Sequence, residues 1–134
     1  MLDKLHRNPA AGLGQSSEDY LEAVLVLGNE KRTVRVKDVA DKLGVTRPSV
    51  VLALAGLEAK GLVRHERYGG IELTPGGRRV ARETDRRHRL VRAFLVQVLG
   101  VSGATADRDA CRIEHSLSPE TVSRLVEFTC RSRK

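Results

Sequence analysis

Aromatic residues are scarce in this sequence: they make up 3% of its 134 residues, and tryptophan is absent. A core must therefore be built from aliphatic side chains, and the 40% of hydrophobic residues are enough for one domain or two small ones. No apolar run approaches the roughly 18 residues that a membrane span needs. Residues 1–10 lack the apolar middle of a secretory signal. We expect a cytoplasmic protein with no membrane partner.

Cysteine is also scarce. Cys111 and Cys130 are the two cysteines of the chain, and they do not form the framework of bridges expected of a small secreted domain. Both are expected to be reduced, which leaves the Cys111 thiol available as a ligand.

The balance of charge is basic. The chain has 24 Lys and Arg against 17 Asp and Glu, which gives a net charge of +7. Such a balance favours polyanionic partners, with nucleic acid ahead of a membrane surface. Charge by itself is weak support, because many basic proteins bind neither.

Two short helices are predicted between residues 36 and 57. In the first, apolar residues recur at i, i+3, i+4 and i+7, namely Val36, Val39, Ala40 and Leu43. Gly44 is placed to end that helix in a left-handed conformation, and Thr46 to cap the second, which tolerates Pro48 in its first turn. The second helix has a buried stripe of Val50, Leu54 and Leu57. This pattern is typical of a helix-turn-helix.

A β-hairpin is predicted next. Two short β-prone runs, 62–66 and 71–74, flank the basic, glycine-rich tip 67–70. A helix-turn-helix followed by a hairpin is a winged helix, whose second helix enters the major groove of DNA. The alternative is a small α+β module that binds protein.

Residues that would contact DNA follow from this prediction. The start of the second helix should meet base edges and phosphates through Thr46, Arg47, Pro48 and Ser49. Phosphates should be held by Arg35, Lys37, Arg64 and Arg67. Beyond Ser49 the helix is apolar and offers only contacts such as those with thymine methyl groups.

A long helix opens at Thr74-Pro75 and ends at Gly100. It is rich in arginine, but His88 falls on its apolar stripe with Thr84, Val91, Leu95 and Val98. Ser118-Pro119 opens a last helix, with Val122, Leu125, Val126 and Thr129 on one side. We expect this face, with Val91, Phe94, Leu95 and Val98, to form a homodimer surface. The alternative is that it closes the core of the monomer.

Candidate metal ligands cluster near residue 111. On an α-helix, Cys111, Glu114 and His115 lie at i, i+3 and i+4, so a thiol, a carboxylate and an imidazole share one face. An equally acceptable interpretation of these residues alone is a half-buried cysteine beside a solvated Glu-His pair. A first helix is predicted over about 18–29, capped by Ser16 and Ser17. Its acids at 19 and 22 share a face, although acids in a first turn are more often surface charge.

Four motifs together resemble one family. EDYLEAVL at 18–25, LTPGGRRVA at 73–81, RRHRLVRAFL at 86–95 and ACRIEHSLS at 110–118 are similar to the diphtheria toxin repressor and manganese transport regulator family of metal-dependent bacterial repressors. The resemblance runs from residue 16 to the end and implies a short form without an SH3-like domain. It implies a mainly α fold with a small β wing. The expected parts are a flexible lead (1–15), a winged helix-turn-helix DNA-binding domain (16–79) and a helical metal-binding and dimerisation domain (80–134).

The resemblance implies six metal ligands: Asp19, Glu22, His88, Cys111, Glu114 and His115. The acids resemble manganese-type members, whereas Cys111 resembles iron-type members. Because a thiolate suits Mn(II) poorly, we expect Fe(II) first and Mn(II) as a close second, with Co(II), Ni(II) or Zn(II) binding in vitro. Arg92 and Asp107 replace a Glu and a His of the iron-type ancillary site. That site is expected to be absent in its iron-type form, and whether one or two metal ions bind is left open.

The function expected is a metal-dependent repressor of metal-ion homeostasis genes that binds a double-stranded DNA operator as a homodimer. A metalloenzyme is a further possibility for a cluster of Cys, His and Glu. The sequence has no separate general base or nucleophile with an orienting partner, so we predict neither enzymatic activity nor a small organic substrate. The remaining alternative is a metal-independent winged-helix module with a structural ligand cluster.

Overall fold

A computed structural model of the protein describes residues 15–66 and 69–132. The elements in chain order are α1 (Gln15–Glu30), α2 (Val36–Leu43), α3 (Arg47–Ala59), β1 (Val63–His65), β2 (Ile71–Leu73), α4 (Pro75–Ala93), α5 (Gly103–Ile113) and α6 (Pro119–Ser132). The predicted class, mainly α with a small β wing, is confirmed. Apart from residue 15, the predicted N-terminal lead lies outside the described residues. None of the described helices combines the length and apolar character needed to cross a membrane.

Contacts divide the described chain into two compact units, with α4 running from one into the other. The N-terminal unit ends at Arg82 and the C-terminal unit begins at Glu83. In the N-terminal unit, α1 packs against α2, α3 and β2, and Leu21 of α1 is fully buried. The described part of α1 begins at Gln15. Ser16 and Ser17 therefore lie within its first turn, and the prediction that they cap the helix is wrong.

The helix-turn-helix has the predicted termini. Gly44 ends α2 in the left-handed conformation at φ +67°, which an L-residue with a side chain adopts at a cost. Thr46 caps α3, because its Oγ1 accepts a hydrogen bond of 3.2 Å from the backbone N–H of Ser49. The inner stripe of α3 is buried as predicted, with Val50, Leu54 and Leu57 all at most 2% exposed.

The wing is a two-stranded antiparallel sheet. The two strands are short and pair Val63 with Leu73, Arg64 with Glu72 and His65 with Ile71. The backbone N–H of Ile71 also donates to the carbonyl oxygen of Val34 at 2.8 Å. This bond fastens the wing to the segment between α1 and α2.

The C-terminal unit is built around the end of α4. Val91, Leu95, Ala106 and Ala110 form its core, and the helix continues past Ala93 as a π-helical turn, Phe94–Val98. On α6, Val122 and Thr129 are buried, and Leu125 packs against this core. Much of the face predicted to form a dimer surface therefore closes the core of its own chain, which was the alternative interpretation. Phe128 stays 49% exposed.

Candidate metal centre and DNA-facing surface

A buried carboxylate is the centre of the candidate metal site. Glu114 is 0% exposed. Its Oε2 lies 2.9 Å from Nδ1 of His88, and its Oε1 lies 3.4 Å from Nε2 of His115. The His115 side chain is 5% exposed and that of His88 is 21% exposed. A carboxylate withdrawn this far from water requires positive or hydrogen-bonding partners, and two imidazoles stand beside it.

The thiol of Cys111 joins this group. The ligand atoms of Cys111, Glu114 and His115 lie within 4.8 Å of one another. The prediction that all three share an α-helix is wrong beyond Ile113, where α5 ends, and Glu114–Ser116 form a 3-10 turn. The neighbours are nevertheless the predicted ones, because Glu114 follows Cys111 by three residues, and residues three apart share a face in an α-helix and in a 3-10 helix alike.

The donor set fits a divalent transition metal. Sulfur, carboxylate oxygen and imidazole nitrogen together suit ions of borderline softness such as Fe(II), Co(II) and Zn(II). The other two predicted ligands, Asp19 and Glu22, lie three residues apart on α1 in the N-terminal unit, and both are half-buried.

A guanidinium stands beside His88. Arg92 Nε lies 2.5 Å from Asp107 Oδ1, which is itself 3.7 Å from Nε2 of His88. A Cβ atom at residue 103 would lie 2.9 Å from Arg92 Nη2, so Gly103 leaves room for this side chain. At the two positions where the sequence departs from the iron-type ancillary site, the structure therefore has an ion pair that joins α4 to α5.

One buried side chain was missed by the sequence analysis. Arg87 is 2% exposed, although it falls in an arginine-rich helix and arginine is mostly an exposed residue type. It follows the fully buried Thr84 by three residues and precedes Val91 by four. That spacing was the available signal, because residues at i, i+3 and i+7 share one face of a helix.

The predicted DNA-contacting residues that the structure describes all lie on the surface of the N-terminal unit. Those exposed are Arg35, Lys37, Thr46, Arg47, Pro48, Ser49 and Arg64. Arg67 lies outside the described residues. Arg64 stands opposite Glu72 in the wing, so part of its charge is offset by a cross-strand neighbour.

The carboxylate of Asp38 stabilises the start of α2. Asp38 accepts hydrogen bonds from the Lys31 ammonium at 2.7 Å and from the backbone N–H of Arg35 at 2.9 Å. Both hydrogen bonds favour the charged carboxylate, and the bond from Lys31 has the larger effect. The pKa of Asp38 therefore lies below its usual value. The same bond to Asp38 raises the pKa of Lys31.

A winged helix-turn-helix followed by a helical unit with clustered thiol, carboxylate and imidazole groups defines a class of transcription regulators that respond to metal ions. Family models agree. The model "iron dependent repressor, N-terminal DNA binding domain" matches residues 12–71, and "iron dependent repressor, metal binding and dimerisation domain" matches residues 74–132. The chain belongs to the iron-dependent repressor family of metal-dependent transcriptional repressors.

Individual relatives support the same assignment. The transcriptional regulator MntR of Salmonella typhimurium is 39% identical over 112 residues, which cover 84% of this chain and 71% of the relative. The HTH-type transcriptional regulator MntR of Geobacillus kaustophilus is 37% identical over 113 residues, covering 84% of this chain and 79% of the relative.

Solved structures show the same fold. A manganese-dependent transcriptional repressor in complex with manganese superimposes with a TM-score of 0.78 at 31% identity. The IdeR protein of T. acidophilum does so with a TM-score of 0.75 at 30% identity. The match covers 84% and 83% of this chain respectively, and the chain spans about half (52%) of the length of each of the two structures.

Proposed function

We propose that this protein represses metal-ion homeostasis genes by binding their operators when it holds a divalent transition metal, with Fe(II) preferred and Mn(II) a close second. The observation that carries the proposal is the fully buried Glu114 between His88 and His115, with the Cys111 thiol beside it. A winged helix that bound DNA without a metal would have no use for such a cluster.

The proposed ligands are Asp19, Glu22, His88, Cys111, Glu114 and His115. The first two rest on the family resemblance and on their shared, half-buried face of α1. Three carboxylates and a thiol in one site repel one another or take up protons. A bound cation supplies the positive charge that offsets this repulsion. The ligand residues would then hold α1 in one position.

The position of α1 matters for DNA because of its packing. Within the N-terminal unit, α1 contacts α2, α3 and β2, with Leu21 and Val24 buried among them. A constraint on α1 is therefore passed to the helix-turn-helix and the wing together. If metal selects the DNA-competent arrangement, operator DNA must tighten metal binding by the same factor.

We further propose that the protein acts as a homodimer through its C-terminal helices. The family's C-terminal domain is a dimerisation domain, and the exposed Phe128 on α6, edge-on to Phe94 at 6.2 Å between ring centroids, supplies apolar surface for it. Two winged helices in one dimer match the two half-sites of a palindromic operator.

The choice between iron and manganese depends on Cys111. One superimposable structure is that of a manganese-dependent transcriptional repressor in complex with manganese. A thiolate, however, favours Fe(II), Co(II) or Zn(II) over Mn(II). We therefore place Fe(II) first. Conversion of Cys111 to Glu should shift the preference towards Mn(II), whereas Cys130→Ser, at an exposed cysteine outside the cluster, should leave it unchanged.

The test is capture of fragmented genomic DNA from the source organism by the purified protein under anaerobic conditions. Chelator, Fe(II), Mn(II) and Zn(II) are compared for the wild-type protein, for His115→Ala and for the control Cys130→Ser. Enrichment of a few fragments only with metal is expected for the wild type and the control, and its loss for His115→Ala. Equal capture in all conditions would refute metal activation. Metal-dependent capture by His115→Ala would refute the ligand assignment.

A further inference from the structure

The outward face of α3 is apolar where a DNA-reading helix usually carries polar side chains. Val51 is 49% exposed and Leu52 is 77% exposed, and Val45 just before the helix is 38% exposed. From residue 51 to residue 57 the sequence VLALAGL contains no side chain that can donate or accept a hydrogen bond. Base edges cannot be read there through polar groups.

The packing of the N-terminal unit does not account for this face. The buried stripe of α3 fixes its orientation, and Ser49, Leu52 and Gly56, at i, i+3 and i+7, lie on the opposite, exposed side. A glycine inside a helix lowers its stability relative to alanine. A Cβ at residue 56 would meet no atom within 4 Å, so no neighbour in the unit requires a glycine. The exposed side of α3 therefore suits contact with a partner outside the unit.

Exposed positive charge in the same unit favours a polyanion as the occupant of this face. Arg47 begins the same helix, and Lys37 and Arg64 are exposed in the same unit. In the major groove, thymine alone presents a methyl group, while the other edges of the bases present polar atoms. An apolar side chain can gain from a thymine methyl and can only desolvate the rest. The small residues Ala55 and Gly56 leave the helix backbone free to approach the groove closely.

We propose that Val51 and Leu52 read thymine methyl groups, so that this protein selects operators by thymine position within each half-site rather than by hydrogen bonds at the centre of the recognition helix. The inference rests on the proposed DNA-binding function and deepens it. Leu52 is the principal reader because it is the more exposed of the two. Guanine contacts are confined to Arg47 and the other polar residues at the start of α3.

The test uses an operator obtained by the capture experiment, with metal present throughout. Thymines of the half-site are replaced singly by deoxyuridine, which removes the methyl group and keeps every hydrogen-bonding atom. Affinity is measured by fluorescence anisotropy for the wild type, for Leu52→Ala and for Leu99→Ala, an exposed leucine of the C-terminal unit at 59% exposure. Deoxyuridine placed outside the footprint is the control on the DNA side.

At one or more half-site thymines, removal of the methyl should weaken wild-type binding about fourfold, the equivalent of one apolar carbon returned to water. Leu52→Ala should bind the thymine and deoxyuridine operators equally at that position, while Leu99→Ala keeps the wild-type ratio. Equal binding of both operators by the wild type overturns this inference and leaves the proposed function standing. Absence of metal-dependent binding to the unmodified operator overturns the proposed function with it. Dissociation of an assembly by Leu52→Ala, with DNA affinity unchanged, would mean that a protein covers this face and would also overturn the inference.

Discussion

Two adjacent glycines in the first turn of α4 should respond in opposite ways to the same substitution. A Cβ atom at Gly76 would lie 3.7 Å from Leu62 Cδ2, an ordinary contact, whereas one at Gly77 would lie 1.9 Å from the carbonyl oxygen of Leu62. Gly76→Ala should stabilise the protein by about 0.4–1 kcal/mol, because alanine loses less chain entropy on folding. Gly77→Ala must displace backbone by more than an ångström, and overpacking of this kind costs about 1–3 kcal/mol or more.

The two variants should therefore differ by roughly 1.4–4 kcal/mol, the sum of these opposing effects. At about 2.1 cal/mol/K per residue, each kcal/mol corresponds to roughly 3–4 °C in the unfolding midpoint of a chain of 134 residues. Thermal unfolding of both variants is followed by far-UV circular dichroism in chelator. Gly77→Ala should melt at least about 4 °C below Gly76→Ala. Equal midpoints would refute the close packing of the first turn of α4 against the backbone of Leu62.

Two further perturbations test local charges. Asp38→Asn should lower the free energy of unfolding by about 1 kcal/mol at pH 7. Because the pKa of Asp38 is lowered in the folded state, the difference in stability from wild type should shrink as the pH falls below about 4. Urea titrations at several pH values check this. Arg92→Ala breaks an exposed ion pair with Asp107, so stability should fall by less than about 1 kcal/mol. Because Arg92→Ala also removes a positive charge beside His88, it should raise Mn(II) affinity a few-fold at low salt. Calorimetry should find no such increase at high ionic strength, and none in the control variant Arg124→Ala.

The helix-turn-helix was predictable because its signals are local. The spacing of Val39 and Ala40, the left-handed Gly44 and the Thr46 cap each act within one turn of chain, and each is present in the structure. The stripe of α3 was predicted residue for residue for the same reason. Apolar periodicity identifies the side that is buried without reference to the rest of the fold.

Other features depend on contacts distant in sequence. Arg87 is buried by what packs on α4, and its spacing from Thr84 and Val91 was the one local signal of this in an arginine-rich helix. The end of α5 at Ile113 was missed because nothing in Glu114 or His115 forbids a further α-helical turn. The convergence of His88 with Glu114 was available only through the family resemblance, since 26 residues separate them in the chain and spacing rules reach one turn. The six-residue ligand set and the domain boundary at 79/80 stay predictions.

The π-helical turn at Phe94–Val98 carries one residue more than an α-helical turn of the same rise. Residues after the turn therefore come one position later in the sequence than a continuous α-helix would place them. A single-residue deletion inside this turn would restore a continuous α-helix and leave the side chains on either side of it facing as they do now. Insertions and deletions among relatives should accordingly concentrate here, where the helix has already absorbed one.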